Sequence, residues 1–515
     1  MKLKDFLIPL MLAIGVTMTV QHFFIDRKKD QETAASGRVR VAPRVQEVHR
    51  PLNLDVDFGP DTLVDQKATL TTIDTDYAQF VFTTDGGALD RVSFKHVVGG
   101  NHNWLTAALP QERDQRSFLV ALDDNTPFHY TLAHVQDGAD QAVVEYSASC
   151  KQGLIRKRFT IFKHECKVDV ALSIEYTGKN TPIRLRLLCP SPAIVGLTDD
   201  VIKAVIYEEK RLNKRGMTEL GQLQYWENPS VFGLEDRYFV YALINNPDNF
   251  VQRGFYKVIG TSSVLTILES KEIADSAQNT LSFYFGPKQA SQFQLVDPRL
   301  EPTLEYGWFA PVSLVFLKIL NWLNDYTRNY GLAIILLTLL IKLFLLPFTW
   351  GSEAKMSRQK SDYERKLRYI QQKYKHDPEM LMREKAEFVR THGVPGGMAG
   401  CLPLLLQIPL FLALSNILSR AVELYQAPFY WIPNLADKDP YYILPMIVVG
   451  TMVLHSMVSS AKGSDVRQQM TSIAVALVFG AFSASFAAGL SLYLSVNMLA
   501  TVAQTYLHGL FKRHA

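Results

Sequence analysis

The chain has 515 residues, 48% of them hydrophobic, and a formal net charge of +4 at neutral pH. Its length exceeds that of a usual single domain, and its mean hydropathy is close to zero, as expected when apolar and polar regions cancel on averaging. The composition therefore predicts one soluble region and one membrane region. The small net charge gives no support to nucleic acid binding, so we predict no DNA partner.

An apolar segment opens the chain. Residues 6–25 contain no Asp or Glu, and they are followed by Asp26-Arg27-Lys28-Lys29 rather than by a small-residue cleavage site. This pattern favours a retained transmembrane anchor over residues 1–26, with a signal peptide as the alternative. Residues 27–60 are polar and lack a sustained apolar period, which predicts a flexible periplasmic linker.

Residues 61–290 are predicted to form an all-β domain. The apolar side chains of one run recur at every second position, as expected for a strand with one buried face: Val168, Val170, Leu172, Ile174 and Tyr176. Similar short runs occupy residues 79–83, 142–147, 154–162, 183–188 and 280–285. Their recurrence between turn signals predicts a β-sandwich.

Three of the four cysteines, Cys150, Cys166 and Cys189, fall in this domain, and their spacing matches no zinc or redox motif. Cys150 directly precedes a predicted hairpin turn, which places Cys166 far along the returning strand and disfavours a disulfide between them. The sequence leaves the disulfide status of all three open.

Residues 291–328 are predicted to contain connecting and interfacial helices. Between Trp308 and Trp322 the apolar residues mix with Lys318 and Asn321, so this stretch is too polar to span a membrane comfortably. Five apolar segments without Asp or Glu then follow at residues 331–350, 400–419, 441–460, 470–486 and 490–510. The first of them contains one charged residue, a lysine. With the anchor they predict six spans.

Residues 352–392 carry eleven Lys and Arg against seven Asp and Glu, which predicts a cytoplasmic location. Apolar residues at helical spacing, followed by Asp377-Pro378 as an N-cap and first helical residue, predict a helical hairpin. This hairpin is either a solvated charged segment or a docking surface for the ribosome or the nascent chain. Helix parity then places both termini in the cytoplasm and residues 27–328 mostly in the periplasm.

Lys342 is the cation inside the first distal apolar segment. A charge at the centre of a spanning helix costs about 2.5 to 3.5 kcal/mol, so its side chain must reach water or polar groups. A hydrated groove satisfies that need, and extension of the side chain towards the cytoplasm is the alternative. Thr338 lies one turn away on the same face, and Gln407, Ser495 and Asn497 are further polar residues that either line such a groove or form interhelical hydrogen bonds.

Five ordered motifs in the distal half resemble the YidC family of membrane-protein insertases (YidC/Oxa/Alb). They are Asn329-Tyr330-Gly331-Leu332-Ala333-Ile334, Gly400-Cys401-Leu402-Pro403-Leu404-Leu405-Leu406-Gln407-Ile408-Pro409, Ala427-Pro428-Phe429, Asp439-Pro440-Tyr441-Tyr442-Ile443-Leu444-Pro445 and Gly489-Leu490-Ser491-Leu492-Tyr493, the last followed by Asn497 and Gln504. The segment Tyr284-Phe285-Gly286-Pro287-Lys288 is similar to the end of the outer domain in the Gram-negative form.

The resemblance implies a multi-domain inner-membrane protein. Its α-helical transmembrane bundle would have six spans, five of them forming an insertase core at residues 329–515, and its all-β periplasmic domain would be a supersandwich similar to sugar mutarotases. Three positions depart from the family pattern: Lys342 stands where arginine is usual, Leu494 replaces an aromatic residue, and Ala487 or Ala488 replaces a proline. Lysine keeps the charge but lacks the bidentate fork of arginine.

The family further implies a membrane insertase and chaperone with a hydrophilic substrate groove and a hydrophobic slide. The groove residues would be Lys342, Thr338, Gln407, Tyr493, Ser495 and Asn497, and the slide residues would be Phe411 and Leu412. The implied partners are nascent membrane proteins, the ribosome, the Sec translocon and the lipid bilayer. No cofactor, metal or catalytic residue is expected.

Two other classes of function stay open at this point. A solute transporter or channel is disfavoured because the apolar segments lack carboxylates and a repeated pair of broken helices. A membrane-anchored carbohydrate-binding protein or enzyme would place the function in the β-domain.

Overall fold

The computed structural model describes residues 68–98, 101–108, 116–122, 126–150, 153–176, 183–190, 193–194, 202–220, 224–259, 263–274, 276–305, 310–392, 402–459 and 466–514. The predicted anchor and linker lie outside these residues. The chain divides into a β-unit within Val39–Glu305 and a helical unit within Tyr306–Ala515.

The described part of the β-unit contains nineteen strands. They are β1 (Leu70–Asp74), β2 (Ala78–Thr83), β3 (Ala88–Val98), β4 (Asn101–Ala108), β5 (Leu119–Ala121), β6 (Thr131–Asp137), β7 (Gln141–Cys150), β8 (Gly153–Phe162), β9 (Lys167–Tyr176), β10 (Arg186–Pro190), β11 (Ala193–Ile194), β12 (Lys203–Glu208), β13 (Arg211–Gly216), β14 (Tyr225–Glu227), β15 (Phe232–Glu235), β16 (Phe239–Asn245), β17 (Val251–Ile259), β18 (Ser263–Ser270) and β19 (Ala277–Pro287).

These strands form three antiparallel sheets. Two have five strands, in the orders β1-β2-β3-β4-β11 and β14-β17-β18-β10-β5, and the third has nine, in the order β13-β12-β15-β16-β19-β9-β8-β7-β6. Phe82 of the first sheet packs on Phe159 of the third, with ring centroids 4.9 Å apart. Phe232 of the third stacks on Tyr256 of the second at 4.3 Å. The nine-stranded sheet therefore packs against both smaller sheets, and the predicted β-sandwich is confirmed.

A short helical segment covers part of the nine-stranded sheet. Helix α1 (Ala290–Val296) and the 3-10 helix Pro298–Leu304 follow the last strand. They insert Phe293 and Leu300 into a core cluster whose other members come mainly from the sheet: Cys166, Val205, Val231, Val240, Ala242, Ile244 and Tyr284. Burial of these apolar side chains fixes the end of the β-unit to the sheet.

The strand predictions hold where the alternation is regular. In β9, Val168, Val170, Leu172 and Ile174 are all buried. The predicted strand at 183–188 is shifted, because the ladder runs from Arg186 to Pro190 and Ile183 makes only an isolated bridge to Ile273. Cys150 pairs with Gly153 at the β7–β8 turn, and Cys150, Cys166 and Cys189 are free thiols.

The described part of the helical unit contains seven α-helices. They are α2 (Ala310–Thr327), α3 (Tyr330–Lys373), α4 (Pro378–His392), α5 (Leu402–Arg420), α6 (Ile443–Ser459), α7 (Val466–Ser483) and α8 (Ala488–His514). Each predicted distal apolar segment thus falls on a helix. Over residues 310–392, 402–459 and 466–514, however, none of these helices combines the length and apolarity needed to cross a membrane.

Helix α3 overturns one local prediction. The apolar segment at residues 331–350 predicts a helix that closes at Pro347 and Trp350, but the helix runs unbroken for 44 residues, from Tyr330 to Lys373. At 1.5 Å per residue it is about 66 Å long. Pro347 removes one backbone hydrogen-bond donor, and the residues after it are rich in strong helix formers. The helix therefore continues past this proline.

The distal part of α3 and helix α4 form the predicted hairpin. Asp377 accepts a hydrogen bond from the backbone N–H of Met380 at 3.1 Å, which confirms the N-cap before Pro378. The ring of Tyr363 on α3 lies 4.9 Å from that of Phe388 on α4. This apolar contact joins the two helices of the hairpin.

Helix α2 packs within the helical unit. It contacts α3 and α5, and Ser313 donates a hydrogen bond to the carbonyl oxygen of Ala413 at 3.2 Å. Leu317, Leu320 and Leu323 are buried, whereas Trp322 is exposed. Its predicted position along the membrane interface stays a prediction.

Candidate functional site

The start of helix α3 is fixed by two of the sequence motifs. The Asn329 side chain caps the helix by accepting a hydrogen bond from the Leu332 N–H at 3.1 Å. Gly331 lies directly against the ring of Phe429, so closely that an added Cβ would overlap the ring. The Asn329-Tyr330-Gly331 motif therefore needs glycine because the Ala427-Pro428-Phe429 motif packs against it.

Replacing Gly331 with alanine is expected to lower the free energy of unfolding by about 2 kcal/mol, because overpacking forces Phe429 to move. Gly450 is the matched control, since it lies in helix α6 and an added Cβ would meet no atom within 4 Å. Gly450→Ala should be neutral or stabilising, by up to about 1 kcal/mol. Thermal unfolding of the purified full chain in detergent measures both, and equal melting temperatures for the two variants would contradict the packing argument.

Lys342 lies on α3 and is partly buried against α8. Its Nζ donates a hydrogen bond to Thr501 Oγ1 at 2.7 Å. The Thr501 hydroxyl in turn donates to the carbonyl oxygen of Asn497 at 2.8 Å. The cation is thus held by a polar chain on α8, and Asn497 takes part through its backbone.

Gln407 and Tyr493 form a second polar pair, between α5 and α8. Gln407 Nε2 donates to the Tyr493 hydroxyl oxygen at 2.7 Å, and the Tyr493 side chain is buried. Tyr493, Asn497 and Thr501 follow one another at intervals of four residues, so they share one face of α8. The two polar pairs therefore belong to the same side of this helix.

The other predicted groove residues bond within helices. The buried Thr338 hydroxyl donates to the Ile334 carbonyl oxygen at 2.7 Å, one turn before Lys342. Ser495 donates to the Ser491 carbonyl oxygen at 2.8 Å and lies 3.4 Å from that of Leu444 on α6. Ser495 therefore faces α6, on a different side of α8 from Tyr493.

The predicted slide residues lie on α5. Phe411 and Leu412 are half-buried, and the Phe411 ring lies 6.3 Å from that of Phe486, which follows α7. Phe486 also contacts Phe482 edge-on at 4.8 Å. The side chains of Phe482 and Leu477 on α7 are exposed, so an apolar surface continues from α5 onto α7.

Thr501 is the residue that sequence reasoning missed. Its contact with Lys342 joins positions 159 residues apart, which no local pattern reveals. The available signal was its spacing, because a polar residue eight positions after Tyr493 and four after Asn497 falls on the same helical face.

Comparisons with known proteins match both units. A family model described as YidC periplasmic domain matches residues 70–323, and one described as 60Kd inner membrane protein matches residues 322–513. A Membrane protein insertase YidC of Campylobacter jejuni is 37% identical over 224 residues, which is 43% of this chain and 42% of that protein. A protein of the same name from Geotalea daltonii is 27% identical over 453 residues, covering 84% of this chain and 85% of that protein.

A solved structure described as an active YidC insertase with its first transmembrane domain resolved aligns with 86% of this chain and 93% of that chain, at 17% identity and a TM-score of 0.38. The assignment rests on the family models and the sequence relatives. They define an inner-membrane protein with a periplasmic β-domain ahead of a helical unit. The chain belongs to the YidC family, and the resemblance seen in its motifs is confirmed.

Proposed function

We propose that this protein is a membrane-protein insertase in which Lys342 receives the polar or acidic flank of a newly made polypeptide. The observation that carries the proposal is the position of the Lys342 ammonium between α3 and α8, 2.7 Å from Thr501 Oγ1. Its family membership supports the same function, because its relatives carry the name membrane protein insertase. Neither a transporter nor a carbohydrate-binding protein gains support from these relatives.

The physical basis is a local reduction of the cost of crossing hydrocarbon. A cation within a spanning helix costs about 2.5 to 3.5 kcal/mol, so it is kept only where polar groups or water surround it. An acidic flank that enters this polar environment leaves bulk water and is attracted by the ammonium. The length of hydrocarbon that the flank must cross in the membrane is then shorter.

The apolar part of the polypeptide follows a separate route into the lipid. Phe411 and Leu412, continued by the exposed side chains of Leu477 and Phe482 on α7, offer it an apolar surface. Transfer of apolar area out of water contributes about 25 cal/mol per Å². This free energy drives insertion without a chemical reaction, so we assign the protein no catalytic residue.

The basic character of the α3–α4 hairpin supports the partners and the topology. The basic α3–α4 hairpin would lie in the cytoplasm, where it can meet the ribosome or the emerging chain, and the Sec translocon would supply some substrates. Both termini would then be cytoplasmic and residues 27–328 mostly periplasmic. The groove comprises Lys342, Gln407, Tyr493 and Asn497, with Thr338 and Ser495 bonded inside the helices that frame it.

The test uses the purified full chain in liposomes and two short single-span precursors that differ only in an acidic or a neutral flank. Lys342→Ala should reduce insertion of the acidic precursor about tenfold, equivalent to about 1.4 kcal/mol. Lys342→Arg, which keeps the charge, should retain most activity. Undiminished insertion by a stably folded Lys342→Ala protein would overturn the proposed role of the charge.

A further inference from the structure

Thr501 is placed so that its hydroxyl must act as an acceptor towards Lys342. A hydroxyl has one hydrogen and two lone pairs. The hydrogen of Thr501 Oγ1 is directed at the Asn497 carbonyl oxygen, 2.8 Å away in the preceding turn of α8. Its lone pairs are therefore turned outward from the helix, and one of them meets the Lys342 Nζ at 2.7 Å.

This hydrogen bond restrains a long and flexible side chain. Lysine carries a compact charge on a four-carbon stem with several rotatable bonds, so an untethered ammonium samples many positions. An oriented acceptor on a neighbouring helix limits that sampling. It also joins α3 to α8 at the level of the charge, because the acceptor is itself held by the backbone of α8.

We propose that Thr501 is a positioning residue for the insertion reaction: it holds the Lys342 ammonium where an acidic substrate flank meets it. The proposal rests on the proposed function of Lys342 and deepens it. Substrates with acidic flanks gain from the tether, whereas substrates with neutral flanks do not. Thr501 thereby contributes to substrate selection without contacting the substrate.

The test compares Thr501→Val with Thr501→Ser, because valine has the shape of threonine without the hydroxyl and serine keeps the hydroxyl. Insertion of the acidic precursor into liposomes should fall about fivefold with valine, equivalent to about 1 kcal/mol. It should stay near the wild-type level with serine. Insertion of the neutral precursor should not change with either variant.

Thr505 supplies a matched control on the same helix. Its hydroxyl donates to the Thr501 carbonyl oxygen at 2.9 Å, one turn further along α8. Thr505→Val therefore removes an equivalent bond inside the helix and should leave insertion of both precursors unchanged. A loss for Thr505→Val as large as that for Thr501→Val would assign the effect to α8 stability and overturn the proposal.

The double variant separates this inference from the function on which it rests. Adding Thr501→Val to Lys342→Ala should cause no further loss, because the tethered group is already absent. A further loss in that background, or an unchanged activity of Thr501→Val in the wild-type background, would overturn the positioning role while leaving the role of Lys342 intact. If Lys342→Ala itself inserts the acidic precursor normally, the proposed function fails first.

Discussion

Replacing Lys157 with methionine is expected to lower the free energy of unfolding of the β-unit by about 3 kcal/mol. Lys157 is fully buried, and its Nζ donates to the carbonyl oxygens of Gly86, Gly87 and Phe118 at 2.6, 3.2 and 2.9 Å. Methionine fills a similar volume but leaves each buried acceptor without this donor, at about 1 to 3 kcal/mol apiece. Relief of a desolvated charge offsets part of that loss.

The pH dependence of this difference gives an independent check. Burial lowers the pKa of Lys157 well below its ordinary value. Between the folded and the unfolded pKa, the unfolded chain binds a proton that the folded chain does not, so the stability of the wild-type protein rises with pH. Methionine cannot contribute such a rise. The difference in free energy of unfolding between wild type and Lys157→Met should therefore widen as the pH rises from the lowered pKa of the folded state towards the pKa of a free lysine, about 10.4.

Thermal unfolding of the purified full chain at a series of pH values measures both effects. Arg158 provides the control, because it neighbours Lys157 on β8 but points to the exposed face. Arg158→Met should change the free energy of unfolding by less than about 0.5 kcal/mol. A similarly small change for Lys157→Met, or a gap that narrows as the pH rises, would contradict the assigned role.

The sequence predicts the elements whose signals are local. The alternation in β9 and the Asp377-Pro378 helix start depend on neighbouring residues, and the structure places both as expected. Lys157 shows the limit of that reasoning. It falls at an inward position between Ile155 and Phe159, so the period of two marks it as buried. The carbonyl groups that accept its hydrogen bonds lie 39 to 71 residues away in the chain.

The candidate site likewise has one feature that the sequence predicts and one that it does not. Lys342 is visible in the sequence because a charge interrupts an apolar segment, whereas its contact with Thr501 depends on how α3 packs against α8. The predicted helix end at Pro347 is wrong, because the loss of one backbone hydrogen bond does not end a long helix. Local composition thus identifies the charged residue, and helix packing decides its partners.

A buried ion cluster holds the end of the β-unit, and it too is invisible to local patterns. Glu235 on β15 is 2% exposed, and its two carboxylate oxygens lie 2.9 Å from the Nζ atoms of Lys214 and Lys288. Lys214 also contacts Glu305 at 3.0 Å and donates to the Thr303 carbonyl oxygen at 3.3 Å. Lys214 thereby connects the Glu235 carboxylate of the sheet to the 3-10 helix that closes the unit.

Removal of the central carboxylate by Glu235→Ala should lower the free energy of unfolding by about 4 kcal/mol, because breaking a buried pair leaves an uncompensated charge. Burial lowers the pKa of Lys288 and the Glu235 charge opposes that shift, so in the variant Lys288 must either release its proton or stay charged without this partner.

Glu305→Ala should cost only about 1 kcal/mol, since Glu305 is more exposed. Adding Lys288→Met to Glu235→Ala should recover part of the stability, because an apolar side chain removes the stranded amine. Urea unfolding of the full chain measures all three, and a double variant less stable than Glu235→Ala alone would show that the cost does not come from the unpaired lysine.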